Sequence, residues 1–391
     1  MLAFAARRIG PILTLLLLAA AAVVVATGTL PWSDFTALIT RVAPVLAFVV
    51  AITVVAELAS AAGVFTALAE RMAGWGRGRV VLLWLLVLAL AVISTAFLSL
   101  DTTAVLVTPV VVVLALHVGI SPLPFALAAV WLSNTASLFL PVSNLTNLLA
   151  ADALDTTPFG YLGMVWAPAL VGVLGSAVIL TLVFRRSLRG RFELPERTVA
   201  KDRPLLIFCA VVVVLLLPML VSGLEVALVA GVAAVLLLGA FLVRDRREIR
   251  VSLVPWQALG IALGLFVLVE AAQVRGLEDL LSVVSGSGDD PLSLLHLAAI
   301  GAVGANVINN LPAYLVLEPQ AGSPVRLVAL LIGTNLGPLV TPWASLATLL
   351  WHERLKALGV TISWPRFMVL GLVGVAVIVP LAAVALALTA G

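Results

Sequence analysis

The residues best placed to do chemistry in this chain are hydroxyls and carboxamides set inside apolar sequence. They gather in four runs: around Ser99-Leu100-Asp101-Thr102-Thr103, from Ser133 to Asn147, at Asn309-Asn310-Leu311-Pro312, and from Gly333 to Ser345. The candidate binding residues are Asp101, Thr102 and Thr103; Asn134, Thr135, Ser137, Ser143, Asn144 and Asn147; Asn309 and Asn310; and Thr334, Asn335, Thr341 and Ser345. No Lys or Arg stands among them, so the set suits an uncharged or weakly charged oxygen-bearing solute. Half-helix N-termini and freed amides can also cradle an oxyanion, and freed carbonyls can hold a cation. Ser, Thr and Asn hydrogen-bond membrane helices to one another, and that is the plainer role for any one of them. Four such runs together point to a site.

Asp101 is the acid of this set, and an ionisable group at membrane depth is by default a functional candidate. It could couple transport to a proton or an ion, or it could cap the half-helix of 102 to 118. Glu57 and Glu270 are further coupling candidates. Both stand near the ends of apolar runs, where a structural ion pair is the alternative.

The elements that carry these residues are membrane helices. Of the 391 residues 63% are hydrophobic and 10% charged, whereas a soluble domain carries roughly 25% charged residues. Apolar runs near the ~20 residues needed to cross a bilayer fall at roughly 8–27, 36–60, 160–184, 204–222, 224–243, 256–275 and 365–389. The first resembles a signal peptide in having Arg7-Arg8 ahead of it, but it reads as a retained helix. Four further runs are interrupted. Segments 80–118 and 291–317 read as re-entrant hairpins tipped near Asp101 and Asn310, and 122–151 and 325–351 as spans unwound in the middle. Pro109, Pro141, Pro312, Pro338 and Pro342 accompany the breaks, as deliberate loss of helical hydrogen bonds requires.

With the N-terminus inside, 19 of the 22 Lys and Arg fall in inner segments, and Arg41, Arg275 and Arg326 remain outside, as the positive-inside rule predicts. Val55-Ala56-Glu57 with Gly63 recurs as Leu268-Val269-Glu270 with Gly276. Ser133 to Leu149 also aligns without gaps on Thr334 to Leu350 at an offset of 201. The expected architecture is therefore an all-α polytopic membrane protein of two inverted-topology repeats, each with a re-entrant helical hairpin and a broken transmembrane helix. Residues 1–184 form the first repeat, 185–223 a basic cytoplasmic loop and bridging helix, and 224–391 the second repeat. Such repeats with paired discontinuous helices mark secondary transporters working by alternating access, with the cargo at the repeat interface.

Other classes fit poorly. A formal charge of +3 with basic residues confined to short loops argues against nucleic acid. Cys209 stands alone, so no disulfide or thiolate cage is expected. His117, His296 and His352 have no partner at ligand spacing, and neither a catalytic site, a metal nor a cofactor is expected.

The runs from Asp101 to Pro109, Asn134 to Asn147, Asn309 to Pro312 and Gly333 to Trp351, continuing through Val360-Thr-Ile-Ser-Trp364, resemble the ArsB-type arsenite/antimonite efflux permeases, in the ArsB/NhaD branch of the ion transporter superfamily. The resemblance covers both halves. It implies export of trivalent arsenic or antimony hydroxides across the bacterial plasma membrane, by exchange with protons or with help from a separate soluble ATPase subunit, along a path lined by Asp101 and the polar tips. A homodimer is carried as a candidate assembly. The pattern departs from that family at Leu100, where it has Asn, at Asn134 and Asn335, where it has acids, and at Leu339, where it has Lys. Fewer intramembrane charges leave Asp101 with more of any coupling duty. A sodium/proton antiporter or an organic-anion, dicarboxylate-type permease of the same superfamily is the alternative.

Overall fold

The computed structural model describes residues 2–193 and 201–390; Arg197 of the basic loop lies outside them. Among these residues the regular elements are helices, apart from one isolated antiparallel bridge between Arg79 and Arg191. The first half runs α1 (Leu2–Ala26), α2 (Trp32–Ala61), α3 (Val64–Trp75), α4 (Val80–Leu98) and α5 (Leu100–Thr102). A π-helical turn over Thr103–Val107 leads into α6 (Thr108–His117), followed by α7 (Leu123–Thr135), α8 (Leu145–Ala153) and α9 (Pro158–Val183). The π turn has a cause in Pro109, which has no N–H for the Val105 carbonyl.

Helix α10 (Arg203–Leu220) bridges the halves. The second half repeats the pattern as α11 (Val226–Arg244), α12 (Trp256–Ala272), α13 (Glu278–Ser285), α14 (Pro291–Ile308), α15 (Asn310–Leu317), α16 (Pro324–Leu336), α17 (Leu346–Ala357) and α18 (Trp364–Thr389). Among the described residues, nine helical stretches are long and apolar enough to cross a membrane. Their outward faces carry Val214, Leu215, Val235 and Val369, all more than half exposed, which suits lipid and not water. The chain is a multi-pass membrane protein. The sequence did not announce the short helices α3 and α13.

Packing pairs the halves element by element. Helix α1 packs on α12, α2 on α11, and α9 on α18, so the first helix of each half rests on the second helix of the other. The two broken helices lie at the centre of this frame. Every residue from Pro124 to Thr135 of α7 and from Arg326 to Leu336 of α16 is buried. Close approach enforces their seats: a Cβ on Gly333 would lie 2.2 Å from the Ala298 carbonyl of α14, and one on Gly371 would lie 1.9 Å from the Leu339 carbonyl. Small residues admit such backbone contacts between membrane helices.

Arg326, which the sequence places in an outer loop, is buried. Its guanidinium donates to the carbonyls of Ala321, Gly288, Ser285 and Gly286 at 2.8–3.1 Å. Carbonyl dipoles thus satisfy a buried cation without a carboxylate, and Arg326 is a strut for the loop that leads into α14.

Candidate functional site

Both hairpins break at a single residue of the same conformation: Ser99 (φ 98°, ψ 158°) and Asn309 (φ 88°, ψ 155°). That region is nearly reserved for glycine and costs about 1–3 kcal/mol per residue, a strain that clusters at functional sites. Each residue caps the helix it starts. Ser99 Oγ accepts from the Thr102 N–H at 3.3 Å, and Asn309 Oδ1 accepts from the Leu311 N–H at 3.3 Å. The sequence places the tips near Asp101 and Asn310; the breaks fall two and one residues earlier. Ser99, not Asp101, is therefore the cap. Aligned on the breaks, Asp101 corresponds to Leu311 and Asn310 to Leu100, so the acid belongs to one hairpin alone.

The broken helices unwind between α7 and α8 and between α16 and α17. Helix α7 rises about 20 Å before it unwinds. Ser143 Oγ donates to the Ala96 carbonyl at 3.0 Å, which sets the first hairpin tip level with the first unwound stretch. The second stretch is sewn to the second hairpin more tightly. Asn309 Nδ2 donates to the Trp343 carbonyl (2.8 Å) and the Asn310 N–H to the Ala344 carbonyl (2.9 Å). Asn306 receives the Thr341 N–H (2.9 Å) and donates to the Gly337 carbonyl (2.7 Å), while Thr341 Oγ1 and Trp343 Nε1 donate to the Asn306 carbonyl (2.9 Å each). The sequence reading missed Asn306. Its signal was a helical turn of spacing ahead of Asn309, inside an otherwise apolar arm.

The centre of the site is a carboxamide cluster that joins the two halves. Asn335 Oδ1 accepts from Ser137 Oγ (2.7 Å) and Asn144 Nδ2 (2.8 Å), and Asn335 Nδ2 donates to Asn147 Oδ1 and the Leu331 carbonyl (3.0 Å each). Asn147 Nδ2 in turn donates to the Ser137 carbonyl at 2.6 Å, bracing the unwound backbone. All four side chains are buried.

The offset of 201 maps Asn134 onto Asn335, and Asn144 and Asn147 onto Ser345 and Thr348. There the shorter side chains make no such grip. Asn134 Nδ2 donates to Val130 of its own helix at 2.9 Å, but buried Asn134 Oδ1, Ser345 Oγ and Thr348 Oγ1 have no hydrogen-bond partner, and neither has Asp101 Oδ1. Their elements touch pairwise: α17 packs on α5 and α7, and α5 on α7. Buried polar atoms left unpaired cost about 1–3 kcal/mol each, and these four lie on elements that pack against one another.

The remaining candidates have internal roles. Thr103 Oγ1 donates to Ser94 Oγ (3.1 Å) and receives Thr95 Oγ1 (2.9 Å), closing the hairpin arms together. Thr102 Oγ1 lies 3.2 Å from Ser99 Oγ. Thr135 Oγ1 accepts from Ser176 of α9 at 3.1 Å, and Thr334 Oγ1 donates to the Leu330 carbonyl at 3.1 Å.

Glu57 and Glu270 stand apart from the cluster, each beside an arginine. Glu57 is within electrostatic reach of Arg354. Glu270 shares a cavity of about 350 Å³ with Arg41, Gln273 and Glu318. Arg41 of α2 holds Glu318 at 2.6 Å and Asp152 at 3.4 Å, so it clasps the two halves at that end. At the opposite end, Arg244 grips Asp202 through two hydrogen bonds of 2.7 and 3.1 Å, which hold that half-buried carboxyl below the usual carboxylate range.

Broken helices buried at the centre of a helical membrane frame, with freed polar groups facing one another, define a membrane transporter. The chain belongs to the citrate transporter family, whose model matches residues 1–323. It is 30% identical over 353 residues to the arsenical pump membrane protein of Escherichia coli strain K12, covering 83% of this chain and 81% of that one. A similar protein of Yersinia enterocolitica, also an arsenical pump membrane protein, is 29% identical over 352 residues at the same coverage. In fold the chain is similar to the crystal structure of the Alcanivorax borkumensis YdaH transporter, whose topology is described as unusual. The TM-score is 0.57 at 15% identity, covering 97% of each chain.

Proposed function

We propose that this protein exports trivalent metalloid hydroxides, arsenite and antimonite, across the bacterial plasma membrane by alternating access in exchange for protons. The observation that carries the reading is the unequal pair of sites around Asn335 and Asn134. A neutral trihydroxide brings three O–H donors and needs acceptors. Asn134 Oδ1, Ser345 Oγ, Thr348 Oγ1 and Asp101 Oδ1 are acceptors without partners. A polycarboxylate would need a compensating cation in the buried site, and Arg326, the buried arginine of α16, is consumed by carbonyls. The names of the arsenical pump relatives support the same cargo.

Asp101 is the coupling residue. Deprotonated, its oxygens accept the O–H groups of the cargo; protonated, it loses acceptor capacity and presents a donor instead, so proton and cargo compete for it. The two halves are inverted repeats with re-entrant hairpins. Each hairpin tip is level with an unwound stretch, and α8 adds about 14 Å beyond the first of these, so that tip stops inside the membrane. The N-terminus and the arginine-rich end that includes Arg79, Arg191 and Arg244 face the cytoplasm. A separate soluble ATPase subunit would dock at that end.

One observation favours a second reading: four oxygen acceptors without a donor also suit sodium, hence a sodium/proton antiporter. The deciding experiment uses everted vesicles under a proton gradient. Arsenite or antimonite accumulation supports the proposal, while its absence alongside robust sodium/proton exchange selects the alternative. Asp101→Asn should abolish gradient-driven accumulation, and full retention would remove Asp101 from the coupling step.

A further inference from the structure

The end of the bundle away from Arg41 holds a second cavity, of about 480 Å³, that the transport reading does not use. Arg77, Arg79 and Arg191 line it, with Gly78, Leu82 and Phe192. Two backbone hydrogen bonds build it by pinning the α3–α4 turn to the start of the basic loop: Phe192 N–H to the Gly78 carbonyl (2.9 Å) and Val80 N–H to the Gly190 carbonyl (3.3 Å). This bridge sets Arg79 directly opposite Arg191, and like charges so placed repel. Gly78 (φ 69°) lets the two segments meet, for a Cβ there would lie 2.9 Å from the Phe192 carbonyl. Arg77 itself adopts a left-handed backbone (φ 49°), a conformation disfavoured for a side chain of its size.

Among the described residues, none of the three arginines is in an ion pair. At the same end Arg244 is paired with Asp202, Lys201 with Asp245, and Arg250 with Glu248. Trp75, 58% exposed, stands one turn before the cavity, where aromatic rings mark the membrane–water boundary. The guanidinium fork matches the oxygens of a phosphate, and basic pockets at this level hold lipid headgroups.

We propose that Arg77, Arg79 and Arg191 form a binding site for a phosphate group, taken from an anionic phospholipid headgroup or from free phosphate. The inference does not rest on the transported cargo. The purified full-length chain, delipidated in detergent, is titrated with phosphatidylglycerol, phosphatidylcholine or inorganic phosphate, and bound lipid and thermal unfolding are measured. Phosphatidylglycerol should raise the unfolding temperature and remain bound, phosphatidylcholine should not, and R77Q/R79Q/R191Q should weaken the binding at least tenfold. Protection by inorganic phosphate alone, lost in the triple variant, would support the site with soluble phosphate as its occupant. Should the triple variant fold poorly, R79Q and R191Q singly should each weaken binding severalfold, and R79K should recover part of it. Equal affinity of wild type and variants for phosphatidylglycerol, or equal response to both lipids, would overturn the proposal.

Discussion

Asn134 and Asn335 occupy matching places at the ends of the first halves of the two broken helices, yet one is fully bonded and the other half empty of partners. Asn335 is gripped from across the interface by Ser137, Asn144 and Asn147. On the other side, the positions corresponding to Asn144 and Asn147 hold the shorter hydroxyls Ser345 and Thr348, on a helix that packs against that of Asn134, and Asn134 Oδ1 has no partner. The two matching positions thus differ in kind: one bonds the halves together, and the other leaves its amide oxygen unpaired.

This contrast can be broken by truncating each side in turn. Asn335→Ala should destabilise the fold by on the order of 3 kcal/mol, because it strands the Asn144 donor and the Asn147 acceptor in a buried site, and transport should vanish with it. Asn134→Ala loses one bond within its own helix, about 1 kcal/mol. It should leave thermal unfolding nearly unchanged while vesicle uptake falls at least tenfold. Equal losses of stability in the two variants would refute the distinction.

Ser345→Ala and Thr348→Val sharpen it. Removing a buried hydroxyl that has no partner should leave stability unchanged or raise it by about 1 kcal/mol, yet weaken cargo affinity severalfold. A marked loss of stability would mean that these hydroxyls are already spoken for.

Further from the cluster, Arg41→Glu should lower stability by about 1 kcal/mol, and combining it with Glu318→Arg should restore most of the loss, as read from unfolding temperatures of both variants. The smallest effect belongs to Asp202. Arg244 depresses its carboxyl in the folded state, so its contribution is present at neutral pH and fades as pH falls through the folded value. Asp202→Asn should lower stability slightly at neutral pH, leave it unchanged below the folded value of the carboxyl, and so flatten the acid limb of a stability profile.

Much of this was legible in the sequence because bilayer crossing imposes a simple rule: apolar runs of sufficient length, broken only where polar groups can be satisfied. Proline and asparagine at 134–147 and 333–345 located the unwound stretches by that rule alone. The partners were less legible. The offset of 201 pairs Asn134 with Asn335, but alignment cannot say that Asn335 bonds to Asn144 and Asn147 while Asn134 does not reach their counterparts. That depends on side-chain length across an interface between distant segments. Ser99 and Asn309 stand at the head of the interrupted runs, but the tips read as falling one or two residues later, because a strained backbone angle leaves no mark in residue type when the residue is not glycine. Arg326 reads as a loop cation from its neighbours, and only the folded loop of carbonyls around it makes it a buried strut. Asn306 was hidden by the apolar arm that carries it.

The gripping half of the central interface is made of amides, and an amide has no proton to gain or lose at any acidity a cell meets. Cytoplasmic acidification would therefore leave the Asn335 bolt untouched. Among the residues proposed to meet the cargo, Asp101 is the one carboxyl, so on that proposal the acid response of cargo affinity would report on that one position.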